Sequence, residues 1–339
     1  PDILNEGVDE LVVPPFYHSV DSTPQYHNHF RIGGIKLTLD GSPQGKTAWL
    51  TEPYYQPPHG KDDDYAGYGV VKDDKVVEVY TKALENGWQT PTHANGDRAI
   101  DQMIMGWEKA EAAVPDVDVR PVLIHGQTLR KDQVAELKTL GILPSLFPMH
   151  TFYWGDWHRD SVLGPERAEN ISPTGWVREA GMRFTTHHDA PVALPNAMRV
   201  LDATVNRTTR SGKVLGEAQK VSVMTALKAM TIWSAYQHFE EASKGSIEVG
   251  KLADFVVLSE NPLEVEPQTL HSLTVLETIK GGESIYRRSE DGAAAVQAPP
   301  LGVSMAQAQW PASHGHYGAD GCFGPALEHI FHALNGTEH

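Results

Sequence analysis

The chain has 339 residues, of which 44 are Asp or Glu and 28 are Lys or Arg, so its formal net charge is −16. This charge argues against nucleic acid and against an anionic membrane as partners, because both are polyanions. The single cysteine, Cys322, excludes an internal disulfide framework, and no apolar run is long enough to span a membrane. We therefore expect a cytoplasmic protein.

Strand and helix signals alternate along the chain after the irregular residues 1–30. The apolar run 35–39 predicts a strand closed by a turn at 40–42, and residues 43–73 predict a long loop. The alternation predicts parallel βαβ units, hence an α/β barrel or an open doubly wound sheet. The elements after the loop are, in order, a helix from 74 that stops at Gly87, a strand over 88–93, a helix over 96–113, a strand over 119–125, a helix carrying Val134, Leu137 and Leu140, a strand over 142–147, an aromatic loop, a helix over 173–180 and a strand over 182–187.

The pattern changes after a long helix predicted over 221–235. Residues 289–339, rich in Ala, Gly, Pro and His, predict a tail. We therefore divide the chain into a barrel at 1–240, a small β appendage at 241–288 and a tail at 289–339. The appendage is predicted from four short segments typical of antiparallel strands, at 245–250, 253–258, 274–280 and 283–287.

Four side chains that can serve metal chemistry stand at ends of predicted strands: Lys36, His93, His125 and Asp189. The two histidines are 32 residues apart, close to the roughly 31 residues of one βα unit in a barrel. Because strand ends converge at one mouth of a barrel, two imidazoles and a carboxylate there match the ligands of Zn²⁺. Such an ion activates water, and Asp189 could then carry a proton to a leaving amine.

Each of these residues also has a plainer interpretation. A lone strand-end histidine is often a satisfied core residue, and Asp189 could cap a turn. Lys36 is harder to explain in this way, since an unpaired buried ammonium is costly. Tyr153 and Trp154, in the aromatic loop over the predicted mouth, are either loop packing or an apolar wall for a substrate. Asp97 and Arg98 begin a helix and are expected to form a cap and an ion pair.

Five segments together resemble one known family, amidohydrolase family 3, which includes the YtcJ-like hydrolases and the N-substituted formamide deformylases. The resemblance covers roughly residues 30–288, and the His-Ala-x-Gly-Asp-Arg-Ala element is the most specific part of it. The segments are Gly34-Ile35-Lys36-Leu37 with Asp40-Gly41-Ser42, Thr92-His93-Ala94-Asn95-Gly96-Asp97-Arg98-Ala99, Ile124-His125-Gly126-Gln127, His188-Asp189-Ala190-Pro191-Val192, and Gly245-Ser246-Ile247-Glu248-Val249-Gly250-Lys251-Leu252-Ala253-Asp254.

The resemblance implies a TIM-like (β/α) barrel hydrolase with a small β-sandwich appendage, which cuts the C–N bond of a small-molecule amide or N-substituted formamide. It implies one or two divalent metal ions, for which zinc is the expected identity. Lys36 would be carboxylated and bridge two metals, His93 and His125 would bind one of them, and Asp189 would be ligand and general base. A homodimer is the expected oligomer.

The first barrel strand of the family carries a His-x-His pair that has no match here. His27-Asn28-His29 has the spacing, but it directly precedes the Lys36 strand, and His314-Gly315-His316 lies in the tail. We therefore expect a partial barrel made of the later βα units, with a companion segment supplying the first strands.

Two other functions stay open. A metal-independent barrel hydrolase with paired carboxylates, such as a glycosidase, would give no role to the two strand-end histidines. A degenerate or split family member would act as a non-catalytic binding or assembly protein, and the unmatched His-x-His strand favours it.

Overall fold

A computed structural model describes Tyr26, Arg31, residues 33–289 and the short strand Ala294–Ala295. Its larger sheet has five strands, every neighbouring pair is parallel, and the order in space follows the order in the chain. Successive βα units of a barrel produce this order, so the predicted α/β class is confirmed. The strands are β1 (Leu37–Thr38), β2 (Pro91–Ala94), β3 (Val122–His125), β4 (Leu143–Leu146) and β5 (Thr185–Thr186).

Nine α-helices lie within the described ranges, and none of them is long and apolar enough to cross a membrane. They cover the sheet through apolar stripes at helical spacing, such as Val76, Tyr80 and Ala83 on the first helix. The helices are α1 (Asp73–Glu85), α2 (Asp97–Ala113), α3 (Lys131–Thr139), α4 (Met149–Trp157), α5 (Gly164–Ala168), α6 (Thr174–Glu179), α7 (Ala197–Asn206), α8 (Val223–Met230) and α9 (Ile232–Gln237).

The main core lies between the sheet and α1 to α3. Leu37, Leu123 and Leu146 come from three strands and are buried in it to 1% exposure or less. Tyr80 packs edge-to-face on Trp107 at 5.4 Å, and its hydroxyl meets that of Thr92 at 2.8 Å. A buried aromatic hydroxyl needs such a partner, so this bond fixes α1 on the sheet. Full burial of each large apolar side chain contributes about 1.5–3 kcal/mol.

The structure corrects several predicted elements. The aromatic segment after β4 is the helix α4 and not a loop, since Met149, His150 and Thr151 are buried in its first turn. The predicted helix over 221–235 is broken into α8 and α9 at Thr231, where φ is −125° and ψ is −96°. Helix α7 was not predicted. Its start is fixed by Asn196, whose Oδ1 accepts a hydrogen bond from the amide of Arg199.

The small sheet confirms the predicted β appendage. Its strands are β6 (Phe255–Leu258), β7 (Val275–Lys280), β8 (Glu283–Arg288) and β9 (Ala294–Ala295), antiparallel and adjacent in chain order. Gly281 and Gly282 join β7 to β8 with φ of 59° and 88°, which suits a tight hairpin turn. The predicted strand over 245–250 is wrong, because that segment forms bends and a turn.

The long loop predicted over residues 43–73 is confirmed over residues 43–72, to which the structure assigns neither helix nor strand, and Asp73 begins α1. It is well packed all the same. Ala48, Leu50 and Tyr54 are buried in a second cluster together with Val162 and Leu163. The loop therefore forms a fixed wall beside the end of β2. Three features singled out in the sequence fall outside the described residues: His27-Asn28-His29, His314-Gly315-His316 and Cys322.

Candidate metal centre

The structure brings His93 and His125 together at the ends of β2 and β3. Nδ1 of His93 lies 3.1 Å from Nε2 of His125, and the ring centroids are 4.5 Å apart. The strand ladder alone would not achieve this, because the partner of His93 is Ile124 and successive side chains point to opposite faces. His125 has φ of 78°, a left-handed conformation that turns its ring back towards His93. Such strained residues concentrate at functional sites.

The other ring nitrogen of His93, Nε2, contacts polar groups on the side away from His125. Nε2 lies 3.3 Å from the carbonyl oxygen of Gly41 and 3.4 Å from Oδ1 of Asp40. The side-chain nitrogen Nδ2 of Asn95 lies 3.1 Å from Nε2 of His93 and donates a hydrogen bond of 2.9 Å to the carbonyl oxygen of Gly41. With its proton on Nε2, His93 donates to the carbonyl oxygen of Gly41, to which Nδ2 of Asn95 also donates, and turns the lone pair of Nδ1 towards His125. This is the usual support for a metal-binding imidazole.

Asp40 organises this end of the sheet, and the sequence analysis did not select it. Its carboxylate is buried and accepts hydrogen bonds from three backbone amides: those of Trp49 at 2.9 Å, Asn95 at 2.9 Å and Gly96 at 2.7 Å. It thereby ties the strand end of β1, the long loop and the start of α2 to one point. The available signal was an acidic residue directly after a predicted strand, in the turn Asp40-Gly41-Ser42.

Lys36 lies on the same face of the sheet as His93. Thr38 is the ladder partner of His93, and Lys36 stands two residues earlier, so both point to one side. Its charge is close enough to lower the pKa of His125, although less than burial does. The expectation of a buried ammonium is wrong, because Lys36 and Thr38 are both exposed. The site face at β1 has no covering layer among the described residues.

Asp189 stands apart from the imidazole pair. It follows β5 in a turn, has φ of 53° and is half-buried, and its carboxylate makes no hydrogen bond to the described residues. The neighbouring His188 accepts a hydrogen bond from the amide of Ala190 at 3.1 Å through Nδ1. The metal-binding and general-base roles of Asp189 stay predictions, as does the metal-binding role of Lys36.

The imidazole pair fits two ligands of one ion. Two nitrogens bound to a tetrahedral Zn²⁺ lie about 3.3 Å apart, close to the observed separation. Within the part of the chain that the structure describes, no group of three or more His, Cys, Asp and Glu side chains is arranged to hold a metal. These residues therefore account for half of a tetrahedral shell, and carboxylation of Lys36 would add an oxygen donor.

A third histidine, His187, completes the surroundings and was missed as a site residue. Its ring lies 5.0 Å from that of His125, and its Nε2 is buried without a hydrogen-bond partner. Burial lowers the pKa of His187 to about 3. Burial also lowers the pKa of His125 well below its ordinary value, with smaller contributions from His187 and His93. These two rings are neutral near pH 7, and only a neutral imidazole binds a metal.

The predicted substrate residues lie on α4. Trp154 is 4.8 Å from the ring of His150 and 6.3 Å from that of Phe147, and Tyr153 packs on Trp154 at 5.6 Å. Phe147 in turn is 4.9 Å from His187. Trp154 is therefore separated from His187 by one aromatic ring. Their contact with a substrate stays a prediction.

The start of α2 differs in detail from the expectation. Gly96 is the capping residue, and Asp97 is the first helical residue. Its carboxylate accepts hydrogen bonds from the amide and hydroxyl of Thr51 and pairs with Arg130 at 3.3 Å. Arg98 lies over the ring of Trp49 instead of pairing with Asp97. Thr51, Asp97 and Arg130 line a cavity of about 220 Å³, and none of the predicted metal ligands lines it.

Comparison with known proteins places the chain in a family. A sequence profile described as the amidohydrolase family matches residues 15–286, so the chain belongs to this family. It is 28% identical over 264 residues to the amidohydrolase-family protein YtcJ of Bacillus subtilis (strain 168), covering 77% of this chain and 48% of that one. It is 26% identical over 264 residues to an N-substituted formamide deformylase of Arthrobacter pascens, covering 76% and 46% respectively.

A solved structure agrees with this assignment. An uncharacterized metal-dependent hydrolase from Pyrococcus horikoshii OT3 superimposes with a TM-score of 0.62 at 26% identity, over 72% of this chain and 48% of that chain. The chain thus spans about half the length of the curated relatives it matches and of this structure. The likeness to the amidohydrolase family therefore extends to both sequence and fold.

Proposed function

We propose that the protein hydrolyses a C–N bond of a small-molecule amide, with N-substituted formamides as the first class to test. Family membership and the likeness to a formamide deformylase support this choice. Lys36, His93, His125 and Asp189 would hold the metal, for which zinc is the expected identity. When bound, such an ion lowers the pKa of water and polarises the carbonyl oxygen of the substrate.

The observation that carries the proposal is the approach of two ring nitrogens to 3.1 Å at adjacent strand ends. Without a bound ion, two neutral imidazoles at this distance place either two lone pairs or one hydrogen bond between the nitrogens. The carbonyl oxygen of Gly41 accepts a hydrogen bond from Nε2 of His93, which turns the lone pair of Nδ1 into the gap. Because Nδ1 of His125 is buried without a partner, the proton of His125 lies on Nε2 and points to Nδ1 of His93, and a bound metal ion would take the place of that proton between the two nitrogens.

The residues of the chain have distinct parts in the reaction. His125 stays neutral because it is buried, and Gly41 accepts the hydrogen bond from Nε2 of His93. Asp189 at the end of β5 would accept a proton on its carboxylate from the attacking water and return it to the leaving nitrogen. Trp154 and Tyr153 would bound the space for the group attached to that nitrogen.

Metal analysis of the native protein tests the proposal together with a chelator. We expect at least one tightly held divalent ion per chain, hydrolysis of formanilide or N-butylformamide, and loss of hydrolysis on chelation that zinc reverses. Hydrolysis that persists after chelation would point to paired carboxylates instead. Less than one ion per chain and no turnover in the native assembly would leave the non-catalytic binding protein.

We also propose that another polypeptide covers the apolar faces of the appendage, as the expected homodimer or companion segment would. Ile247 is 84% exposed and Val256 is 53% exposed, and β6 is an edge strand whose other edge has no partner among the described residues. An apolar edge strand of this kind favours pairing with a further chain. The mass of the native complex, measured by light scattering, tests this: a monomer of 37.3 kDa would contradict it.

A further inference from the structure

A second pair of imidazoles lies near the candidate centre, on the helix that follows β4. His150 belongs to α4, and His158 begins the π-helical turn His158–Val162 that continues it. Nδ1 of His150 lies 3.1 Å from Nε2 of His158, and the stacked rings are 5.3 Å apart. Both residues are buried, with 3% and 0% exposure. The hydrolysis proposed above uses neither of them.

The contact is not a by-product of regular helix geometry. Residues eight apart on a straight α-helix are separated by about 12 Å along the axis, whereas side-chain neighbours are three or four apart. Here the helix leaves α-geometry at His158, whose carbonyl accepts a hydrogen bond from the amide of Leu163, five residues on. Turns of this type are frequent at functional sites.

The hydrogen-bonding needs of the pair select one arrangement of protons. Burial lowers the pKa of both rings, to about 3 for His158, so near pH 7 each ring carries one N–H. If His150 were the donor, the proton of His158 would sit on Nδ1, which is buried and has no partner. Buried N–H groups without an acceptor are the costlier case. His158 therefore donates from Nε2, and His150 carries its own proton on Nε2.

The free N–H of His150 is available to a ligand beside the centre. Its Nε2 makes no hydrogen bond to the described residues, and it is not among their fully buried unpaired atoms. Phe147 touches the ring of His150 at 4.6 Å and that of His187 at 4.9 Å, so His150 lies one ring away from His187. Trp154, at 4.8 Å, closes the other side.

We propose that His150 donates a hydrogen bond from Nε2 to the carbonyl oxygen of the amide substrate. His158 is a positioning residue. It donates a hydrogen bond from Nε2 to Nδ1 of His150 and so keeps the proton of His150 on Nε2. The inference rests on the proposed hydrolysis, because it assigns a partner to the carbonyl of that substrate. It adds a donor that is independent of the metal ligands.

The tautomers can be measured without any activity. Long-range ¹H–¹⁵N correlation spectra of the native, ¹⁵N-histidine-labelled protein at pH 7 report which ring nitrogen carries the proton. We expect the Nε2–H form for both His150 and His158, with the assignment made by the loss of one signal set in each variant. A proton on Nδ1 of His150 would overturn the inference, whether or not the protein turns over a formamide.

Conservative substitutions then test the role in catalysis. Glutamine keeps an N–H near the position of Nε2, and phenylalanine keeps the ring without it. We expect His150→Phe to lower kcat for formanilide by about 100-fold, the effect of losing one such donor, and His150→Gln to recover most of it. His158→Phe should give a smaller loss that His158→Gln recovers, and metal content should stay unchanged in all four.

The outcomes separate the two proposals. Wild-type activity in His150→Phe would overturn the role of His150 and leave the hydrolase intact. No hydrolysis by the metal-loaded wild-type protein would overturn the proposed function instead. His59→Gln, a change at an exposed histidine, is the matched control and should retain full activity. If His150→Phe fails to fold, the comparison of His150→Gln with His150→Asn decides, since asparagine places its amide nearer to Nδ1.

Discussion

The two ends of the predicted centre differ in how they are held. At β2 and β3, His93 is backed by Gly41 and Asp40, and His125 is buried in a fixed left-handed turn. At β5, the strand is two residues long, and the carboxylate of Asp189 makes no hydrogen bond to the described residues. The first end is preorganised by protein groups alone. The side chain of Asp189, at the second end, would be ordered only by a bound metal or substrate. This suits a group that must move a proton.

Removal of an imidazole at the preorganised end should cause the largest change, a loss of metal affinity. His125→Ala takes away one of the two nitrogens that face each other at 3.1 Å. Loss of a supporting group usually costs 10–100-fold in metal affinity, so loss of a ligand should cost more than about 100-fold. Competition with a fluorescent zinc chelator measures the affinity. Unchanged affinity would show that the metal binds elsewhere, and His59→Ala is the control.

Asp189→Asn tests the end of the centre at β5, and we expect it to lower kcat. A general base contributes about 10²- to 10⁴-fold, so we expect kcat to drop within that range while the fold stays intact and the metal stays bound. Metal content and kcat are measured on the same sample. Normal turnover in this variant would remove the proposed base. Asp116→Asn, at an exposed turn position with φ of 64°, is the matched control.

Asp40→Asn should weaken the first end without removing a ligand. The substitution replaces one acceptor oxygen by a donor that faces backbone amides, so we expect a loss of about 1.5–3 kcal/mol for each charge-assisted hydrogen bond removed. Metal affinity should fall by about 10–100-fold, because the segments that carry Gly41 and Asn95, which contact Nε2 of His93, are less firmly held. Urea unfolding and zinc competition measure the two effects. A change in stability alone would mean that Asp40 is only a structural acceptor.

The pH dependence of stability reports on the buried pair beside the centre. The pKa of His158 is about 3 in the folded chain and 6.5 without the fold. The unfolded chain therefore binds a proton first as pH falls, and stability declines from pH 6.5 towards 3 by about 1.4 kcal/mol per pH unit. His158→Gln should reduce the slope of the free energy of unfolding against pH by that amount. An unchanged slope would mean that the ring is not buried in neutral form.

The sequence predicts the repeating units well and the site only in part. Helix spacing in α1 and the runs that become β2 to β4 are local patterns, so they can be recognised without the fold. The barrel-like order of the strands places His93 and His125 at neighbouring strand ends, and this could be predicted from their spacing. The left-handed turn at His125 is not visible in the pattern, because nothing in Ile124-His125-Gly126 other than the glycine signals a positive φ.

The missed residues share a physical cause. The role of Asp40 depends on three amides from distant parts of the chain, at Trp49, Asn95 and Gly96, and no spacing rule reveals such bonds. The contact of His150 with His158 joins the first turn of α4 to the first residue of the following π-helical turn, eight residues on. Helix α4 was mistaken for a loop because its aromatic residues lack a one-sided apolar stripe, and its burial is decided by tertiary packing.

The anchorage of the long loop has a mechanical consequence. Trp49 gives its amide to Asp40, and its carbonyl receives the amide of Arg98 at the first turn of α2. Gly96 lies so close that an added Cβ would stand 1.9 Å from that carbonyl oxygen. The wall formed by the long loop and the groups beside His93, Asp40 and Gly41, are therefore one rigid unit. A displacement of this wall would therefore also move the groups that contact His93.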